Sequence, residues 1–467
     1  MADGHRYLPV GEADRAEMLA AIGLASVEEL FASLPPEVRL AEPPVVEGPL
    51  SDQEMRRRFH ALEEANRVAG RDLASFLGAG AYRHDVPAAC DHLIQRGEFL
   101  TVYTPYQPEI SQGTLQAIFE FQTFMALLTG LPAANASLYD GASAFAEAVL
   151  MADRLQKRRR KVVVSRAVHP HYRATLQTYA KNLDLAIVEV GWEETGATDP
   201  RALAQAVDSE TVCVAVQSPN YFGVVEPWRR AAEIAHGQGA LAVAVVAEAL
   251  SLALLGSPGA AGCDIACGEA QSFGLPLAFG GPYLGFLAAR DEAKRAMPGR
   301  LVGETVDGDG RRAWVLTLAT REQHIRREKA TSNICTNVAL CALAATLYLA
   351  LHGRRGLARL AEINLQRTAA LVRRLGAADY GLGRRFAGPF FNEVTLRAEG
   401  PVAELLGSLA GGGMLAGHPL GADYPELSDC MVTAVTEANP PEEIDRFVAE
   451  ARRFANSRRT RLAAAGR

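Results

Sequence analysis

Three small residues, Gly141, Ala142 and Ser143, stand at the start of a predicted helix in the segment LYDGASAFAEAVLMADRL (138–155). Small residues let backbone N–H groups approach an anion closely, and a helix N-terminus carries favourable partial positive charge. A phosphate group is therefore a candidate ligand of this turn. The alternative is an ordinary capped helix start, since the segment contains neither a GxGxxG nor a Walker sequence.

A glycine-rich stretch, GEAQSFGLPLAFGGPYLGF (268–286), follows a predicted strand. Such a loop permits close backbone approach to a ligand, and the carboxyl ends of parallel strands are the usual ligand position in α/β sheets. A plain connecting loop is the equal alternative. Glu248 ends the most apolar predicted strand of the chain, where we expect it to pair with an arginine or to face a site.

Two further segments carry side chains suited to binding. Several arginines and Lys329 precede an apolar helix in the segment TREQHIRREKATSNICTN (320–337). Arginine can bind a carboxylate or a phosphate through two hydrogen bonds. A basic helix turn exposed to solvent is the commoner explanation of such a cluster. TVYTPYQPEISQGTLQ (101–116) holds Tyr103 and Tyr106 among prolines that stiffen it. These tyrosines are either ligand contacts or packing residues of the core or of an interface.

The elements that would position these residues follow from the hydrophobic pattern. Between 137 and 290, short apolar runs alternate with helical patterns, and continuous runs such as TVCVAVQ (211–217) are typical of strands buried on both faces. The pattern predicts a mainly parallel, helix-covered sheet in a large α/β domain at 71–325. Residues 1–70 are predicted to form a helical N-terminal arm, and residues 326–467 a linking helix and a smaller α+β domain.

Composition excludes several classes of protein. With 49% hydrophobic and 22% charged residues, the 467-residue chain is neither disordered nor a disulfide-stapled miniature fold. A net charge of −6, with no basic run longer than KRRRK (157–161), predicts no nucleic-acid partner. The seven cysteines form no CxxC pair, and no apolar stretch reaches the ~20 residues of a membrane span. We expect a cytoplasmic protein with no membrane partner and no metal site.

Five segments of the chain resemble the P-protein family of the glycine cleavage system, glycine dehydrogenase (decarboxylating), and within it subunit 1 of the two-subunit bacterial form. They are FLGAGAYRHDVPA (76–88), YTPYQPEISQGTLQ (103–116), LYDGASAFAEA (138–148), SFGLPLAFGGPYLGF (272–286) and REQHIRREKATSNICTN (321–337). The resemblance implies an aminotransferase-like, pyridoxal-phosphate-dependent fold with sites built between two chains. It also implies decarboxylation of glycine, with transfer of the aminomethyl group to the lipoyl arm of H-protein.

One position departs from the catalytic pattern of that family. A His-Lys-Thr-Phe run precedes the glycine loop in catalytic P-proteins, whereas this chain has Ala270-Gln271-Ser272-Phe273, and an amide cannot form the covalent bond that lysine makes with the cofactor. The chain has only five lysines against 43 arginines. The resemblance therefore implies the non-lysine subunit. It also implies that pyridoxal phosphate is held covalently by a lysine-bearing P-protein subunit 2, in a heterotetramer with two copies of each subunit.

The resemblance also assigns site residues. Those that reach the partner's cofactor or glycine are Tyr103, Tyr106 and Gln107 in the proline segment and Thr331, Ser332 and Asn333 after the basic cluster, with Arg326 or Arg321 at the mouth. Gly141 and Ser143 correspond to the family's own phosphate turn, as a vestige of cofactor binding by this chain. One alternative is a structural or regulatory subunit that contributes no residue to the site. Another is an autonomous pyridoxal-phosphate enzyme that uses Lys329.

Overall fold

The computed structural model describes residues 9–40, 42, 44–100, 104–377 and 380–465, and divides at Asn66 into two compact units. The first unit contains helices α1 (Glu12–Ala21) and α2 (Asp52–Ala65). Among the described residues, only short 3₁₀ turns lie between them, at Glu28–Phe31 and Pro36–Val38, within the arm that was predicted to be helical. The Leu-Pro-Pro sequence that separates these turns stops an α-helix from forming.

The second unit holds the remaining helices and all the strands of the described residues. The helices are α3 (Ala88–Ile94), α4 (Gly97–Leu100), α5 (Gln112–Thr129), α6 (Gly141–Gln156), α7 (Pro170–Ala180), α8 (Pro200–Ala206), α9 (Trp228–Gly237), α10 (Gln323–Arg326), α11 (Ala339–Gly376), α12 (Val402–Gly411) and α13 (Pro441–Ala465). The strands are β1 (Ala74–Ser75), β2 (Ala133–Ala134), β3 (Lys161–Ser165), β4 (Ala186–Val190), β5 (Thr211–Gln217), β6 (Leu241–Val246), β7 (Ile265–Glu269), β8 (Gly285–Ala289), β9 (Leu301–Val306), β10 (Arg312–Thr317), β11 (Leu382–Arg384), β12 (Glu393–Ala398), β13 (Met414–Leu415), β14 (His418–Pro419) and β15 (Cys430–Ala434).

A seven-stranded sheet in the order β2-β8-β7-β6-β5-β3-β4 forms the centre of this unit. Strands β3 to β7 are parallel, β8 runs antiparallel to β7, and β2 runs antiparallel to β8. The apolar runs of β5 and β7 are buried along their whole length, because helices cover both faces of the sheet. The mainly parallel α/β sheet predicted from the sequence is thereby confirmed.

Each face of the sheet has its own core. Helices α5, α9 and α11 supply Phe121, Trp228 and Tyr348 to one core, and helix α6 supplies Phe145 to the other. A second, antiparallel sheet in the order β11-β12-β15-β14 packs with α12 and α13 around Phe447 and forms the smaller C-terminal domain. Strand β1 pairs with β13 and places the chain that follows it between the two domains.

The hairpin of β9 and β10 was not predicted from the sequence. Its strands pair antiparallel from Leu301↔Thr317 to Val306↔Arg312 around a polar turn. Helix α11, the apolar helix predicted after the basic cluster, begins at Ala339. Among the described residues, no helix is both long and apolar enough to cross a lipid bilayer.

Candidate active site

Four polar side chains meet at the carboxyl edge of the parallel strands. His169 follows β3, Gln217 ends β5, Glu248 follows β6, and Gln271 follows β7. They lie together because the carboxyl ends of parallel strands share one edge, and all four are buried. The glycine-rich stretch after β7 starts at this edge, as predicted.

Gln271 is tied to the chain segment that follows β1. The amide N–H of Tyr82 donates to Gln271 Oε1 at 3.0 Å, and Gln271 Nε2 donates to the carbonyl oxygen of Tyr82 at 3.0 Å and to that of Leu275 at 2.7 Å. The Tyr82 hydroxyl in turn donates to Glu393 of the small domain at 3.0 Å. Gln271 therefore fastens the covering segment to the sheet edge.

Glu248 belongs to a buried triad with His84 and Glu437. His84 Nε2 lies 3.1 Å from Glu248 Oε2, and His84 Nδ1 lies 2.9 Å from Glu437 Oε2. Burial alone would lower the pKa of His84, but the two facing carboxylates outweigh it and raise that pKa to about 10. Burial likewise opposes ionisation of Glu437, and the His84 charge overcomes it and lowers the Glu437 pKa to about 2. The partner of Glu248 is thus a histidine instead of the expected arginine.

The backbone donors at the start of α6 are already used by carboxylates of this chain. The amide N–H of Gly141 donates to Glu269 Oε2 at 2.9 Å, and that of Ser143 donates to Asp140 Oδ1 at 2.7 Å. Burial raises the pKa of Glu269 to about 7. The ring of Tyr172 stacks on His169 with centroids 5.0 Å apart, and a Cβ atom at Gly141 would collide with the Tyr172 hydroxyl.

Pyridoxal phosphate does not fit this edge of the chain. A phosphate at the start of α6 would meet the Glu269 carboxylate, and an aromatic ring against His169 would meet Tyr172. Glu248 is engaged by His84 and by Asn392, whose side-chain amide donates to it at 2.9 Å. None of the five lysines lies on β6, on β7 or in the connection after β7. Among the described residues, no group of His, Cys, Asp or Glu is arranged to hold a metal ion either.

A second polar cluster is centred on Arg300, at the start of β9. This arginine is 3% exposed, and its guanidinium contacts both segments that were assigned to the partner's site. It donates to the Tyr106 hydroxyl at 3.1 Å and to Thr104 Oγ1 at 3.3 Å in the proline segment. It also donates to Thr336 Oγ1 at 2.8 Å and to the Cys335 carbonyl oxygen at 3.1 Å, just after Thr331–Asn333.

Tyr106 is the most prominent exposed group of this cluster. Its side chain is 59% exposed, although its ring lies 5.3 Å from the Arg300 guanidinium carbon and 6.3 Å from the ring of His324. The arginine holds the aromatic ring in place by a hydrogen bond and a cation–π contact, while more than half of the residue's surface stays exposed to solvent. Such a side chain is available to a second chain without any rearrangement of the first.

The other predicted site residues lie at varied positions. Gln107 is exposed, and Tyr103 falls outside the described residues. Arg326 is exposed on α10, where its Nε donates to the Thr320 carbonyl oxygen at 3.2 Å, and Lys329 is exposed one turn later. Arg321 donates to carbonyl oxygens of the connection before β9, among them that of Gly299 at 3.1 Å. The roles assigned to Arg326 and Arg321 stay predictions.

The loop Thr331–Asn333, which precedes the residues that contact Arg300, is held by hydrogen bonds at its start and at its end. The Thr331 amide donates to the Arg321 carbonyl oxygen at 3.0 Å, and the Ile334 amide donates to Ser332 Oγ at 3.0 Å. Further on, the Cys335 amide donates to the Tyr139 hydroxyl at 2.9 Å. These hydrogen bonds fix the course of the loop.

Sequence reasoning missed the residues that organise both clusters. Arg300 is one of 43 arginines and stands in no recognisable motif. Tyr82 and His84 lie in FLGAGAYRHDVPA (76–88), a segment noted only for its resemblance. The available signal in this segment was a tyrosine and a histidine in a short stretch rich in glycine. If such a loop is buried, these polar side chains need hydrogen-bond partners, which marks them as candidates for a polar cluster.

The chain is similar over nearly its whole length to one protein family. A family model described as "Glycine cleavage system P-protein" matches residues 5–450. Proteins named "Probable glycine dehydrogenase (decarboxylating) subunit 1" from Geobacillus kaustophilus and Azorhizobium caulinodans are 49% and 51% identical. These alignments cover 96% and 95% of this chain, and 98% of each relative.

Solved structures show the same relationship. The crystal structure of an inhibitor-bound glycine decarboxylase (P-protein) of the glycine cleavage system has a TM-score of 0.86 at 42% identity, covering 96% of this chain and 100% of that one. A sphingosine-1-phosphate lyase from Burkholderia pseudomallei has a TM-score of 0.63 at 16% identity, covering 93% and 98% of the two chains. Together these neighbours confirm the predicted aminotransferase-like, pyridoxal-phosphate-dependent fold class.

Proposed function

Because the chain belongs to the glycine cleavage system P-protein family, we propose that it is subunit 1 of a two-subunit glycine dehydrogenase (decarboxylating). In this proposal it completes an active site whose pyridoxal phosphate is held by a lysine-bearing subunit 2. The observation that carries the proposal is that polar groups at the carboxyl edge of the sheet already have hydrogen-bond partners within this chain. These groups are Gln271, Glu248 and Gly141.

The contribution to the partner's site comes from the two segments joined at Arg300. Arg300 links Tyr106 to Cys335 and Thr336, which follow the loop Thr331–Asn333; Tyr106 is exposed and the loop is partly so. Proline on either side of Tyr106 and Gln107 restricts φ, so the segment is a stiff carrier for a group that must be placed accurately. These residues position glycine and exclude water, while the partner supplies the cofactor.

The proposed reaction releases CO₂ from glycine and passes the remaining aminomethyl group to the lipoyl arm of H-protein. This chain contributes binding and placement to that reaction. The second candidate function is a scaffold that contributes no residue to the site. The hydrogen-bonded groups at the sheet edge support it equally, and it differs from the first only in the role of Tyr106 and Thr331. For either function, the proposed stoichiometry is two copies of each subunit.

Borohydride reduction in the presence of pyridoxal phosphate is expected to leave this chain unlabelled. None of its lysines lies on β6, on β7 or in the connection after β7, whereas subunit 2 in the same mixture should carry one pyridoxyl-lysine. Mass spectrometry of both chains after proteolysis is the measurement. Stoichiometric pyridoxyl-lysine on this chain, at Lys329 or elsewhere, would show an autonomous enzyme instead.

Tyr106→Phe and Thr331→Ala are each expected to lower exchange of ¹⁴CO₂ into glycine by about 10-fold. The phenylalanine loses the hydroxyl that accepts a hydrogen bond from Arg300, and a small displacement of a positioning group is costly in the transition state. The measurement uses this chain, subunit 2 and lipoylated H-protein at matched assembly. Tyr380→Phe, in the small domain, is the control. Wild-type exchange by both variants would favour the scaffold.

A further inference from the structure

Phe279 is a fully exposed aromatic side chain in the glycine-rich stretch after β7. Its relative exposure is 105%, so the ring packs against nothing in the described part of the chain. Neither the carboxyl edge of the sheet nor the cluster at Arg300 uses this residue. Because a single exposed apolar side chain is common on protein surfaces, the backbone and the surroundings of Phe279 decide whether it has a role.

The backbone holds the ring out in an unfavourable conformation. Ala278 and Phe279 have φ angles of +43° and +55°, in the left-handed region that residues with a Cβ atom rarely adopt. The turn is closed by two hydrogen bonds to the Leu277 carbonyl oxygen, from the Gly280 amide at 2.9 Å and from the Tyr283 hydroxyl at 3.1 Å. Backbone strain of this kind concentrates at functional sites. In this turn, no packing of the Phe279 ring offsets it.

An apolar groove of about 440 Å³ begins at Pro282, three residues after Phe279. Helices α4 and α5, the turn after β7 and the start of α11 form its walls, and the apolar side chains that line it include Phe99, Leu100, Ile118, Pro282, Val338 and Leu340. Leu100 is 55% exposed and Leu340 is 44% exposed. Among the described residues that line the groove, none has a charged side chain. The groove therefore suits an uncharged, apolar occupant.

The groove is connected to the cluster that carries Tyr106. Asn337 lines the groove, and its side-chain oxygen accepts a hydrogen bond from Arg300 at 3.4 Å. Ile118 belongs to α5, which begins within the proline segment that carries Tyr106. Under the proposed function, Tyr106 reaches a cofactor held by subunit 2, so the apolar surface connected to it faces the same chain. A second copy of this chain has no lysine on β6, on β7 or in the connection after β7 to hold that cofactor.

We propose that Phe279 and this groove form a docking surface for subunit 2. The phenylalanine ring inserts into an apolar pocket of subunit 2, and an apolar side chain of subunit 2 occupies the groove. This inference rests on the proposed function and adds to it the surface that joins the two chains. Docking removes apolar area from water without burying a charged group of the groove. The closed turn holds the ring in position before the chains meet, so little conformational freedom is lost on binding.

The test measures how fast this chain leaves its complex with subunit 2. Fluorescently labelled full chain is assembled with pyridoxal-phosphate-loaded subunit 2, and its release is followed after an excess of unlabelled chain is added. Phe279→Gly should dissociate about 30-fold faster than wild type, the effect of removing a central aromatic anchor. Leu340→Asp, which places a charge in the groove, should dissociate about 10-fold faster or more. Leu462→Ser, at an exposed apolar residue of α13, is the control and should leave the rate unchanged.

The isolated Phe279→Gly chain should melt at the wild-type temperature or above it. The substitution removes no packing, and glycine adopts a positive φ without strain. A lower melting temperature would contradict the proposal, because it would show that the ring stabilises its own chain.

Three further outcomes would overturn the proposal. One is dissociation of either Phe279→Gly or Leu340→Asp at the wild-type rate. Another is self-association of the isolated chain that sedimentation shows to depend on Phe279, since it would assign the surface to a second copy. The third is a wild-type chain that does not bind subunit 2, and in that case the proposed function fails as well. If the wild-type chains associate and exchange ¹⁴CO₂ while Phe279→Gly dissociates normally, only the docking surface is wrong.

Discussion

Replacing Arg300 by lysine is expected to lower glycine-dependent ¹⁴CO₂ exchange by the reconstituted enzyme by about 10²-fold. Lysine keeps the positive charge near Glu322, which lies 3.7 Å from Arg300 Nε, so the fold is retained. It cannot hold the planar set of hydrogen bonds that joins Tyr106 to Thr336 and the Cys335 carbonyl group. The two segments then lose their common anchor.

The measurement compares kcat and the KM for glycine at matched assembly with subunit 2. Arg300 touches no substrate in our proposal and is a positioning residue. The loss should therefore fall mainly on kcat, with tyrosine fluorescence or proteolysis reporting a looser proline segment. Arg295→Lys, at an exposed arginine before β9, is the control. Normal turnover by Arg300→Lys would show that the coupling of the two segments does not matter to catalysis.

His84→Leu is expected to reduce the free energy of unfolding by about 3–5 kcal/mol, the range for removing one partner of a buried ion pair. The substitution leaves the Glu248 and Glu437 carboxylates buried beside each other without their shared cation. His92→Leu, at an exposed position on α3, should change stability by less than about 0.5 kcal/mol. Urea unfolding of the two variants and the wild type is the measurement.

The triad also predicts a pH dependence of stability. The His84 pKa rises from 6.5 to about 10 on folding, so its contribution is complete below pH 6.5 and is lost as the pH rises through about 10. The Glu437 pKa falls from 4.5 to about 2, so its contribution is present above pH 4.5 and is lost as the pH falls through about 2. His84→Leu should abolish the alkaline loss. An equal alkaline loss in wild type and variant would contradict the triad.

The sequence predicted elements well where local pattern decides the structure. Strand β5 lies at 211–217 as expected, because an unbroken apolar run has few alternatives to a buried strand. The hairpin of β9 and β10 was missed because its strands are largely polar or half-exposed and its turn, DGDG (307–310), was not recognised as a hairpin signal. The smaller domain was predicted as a mixture of helices and strands, but its strand order depends on contacts that no local pattern contains.

The candidate site also has a part that could be predicted from the local sequence and a part that could not. The position of Gln271 after β7 and the helix start at Gly141 followed from local sequence and resemblance. The triad could not be predicted in this way, because His84 contacts Glu437, which lies 353 residues away in the sequence. Arg300 lies 194 residues from Tyr106 for the same reason. The chemistry of a residue can be inferred locally, whereas its partner is set by the tertiary fold.

The hydrogen bonds between Gln271 and Tyr82 bear on whether this chain could become an autonomous enzyme. A change of Gln271 to lysine would remove the bond from the Tyr82 amide to Gln271 Oε1, while Glu269 would still occupy the Gly141 amide. The side chains at this edge stabilise one another, so changing any one of them is unfavourable while the others persist. Under the proposed function, the division of labour between the two chains is therefore entrenched: mutation at a single codon would not give self-sufficiency, and selection would act on the pair as one unit.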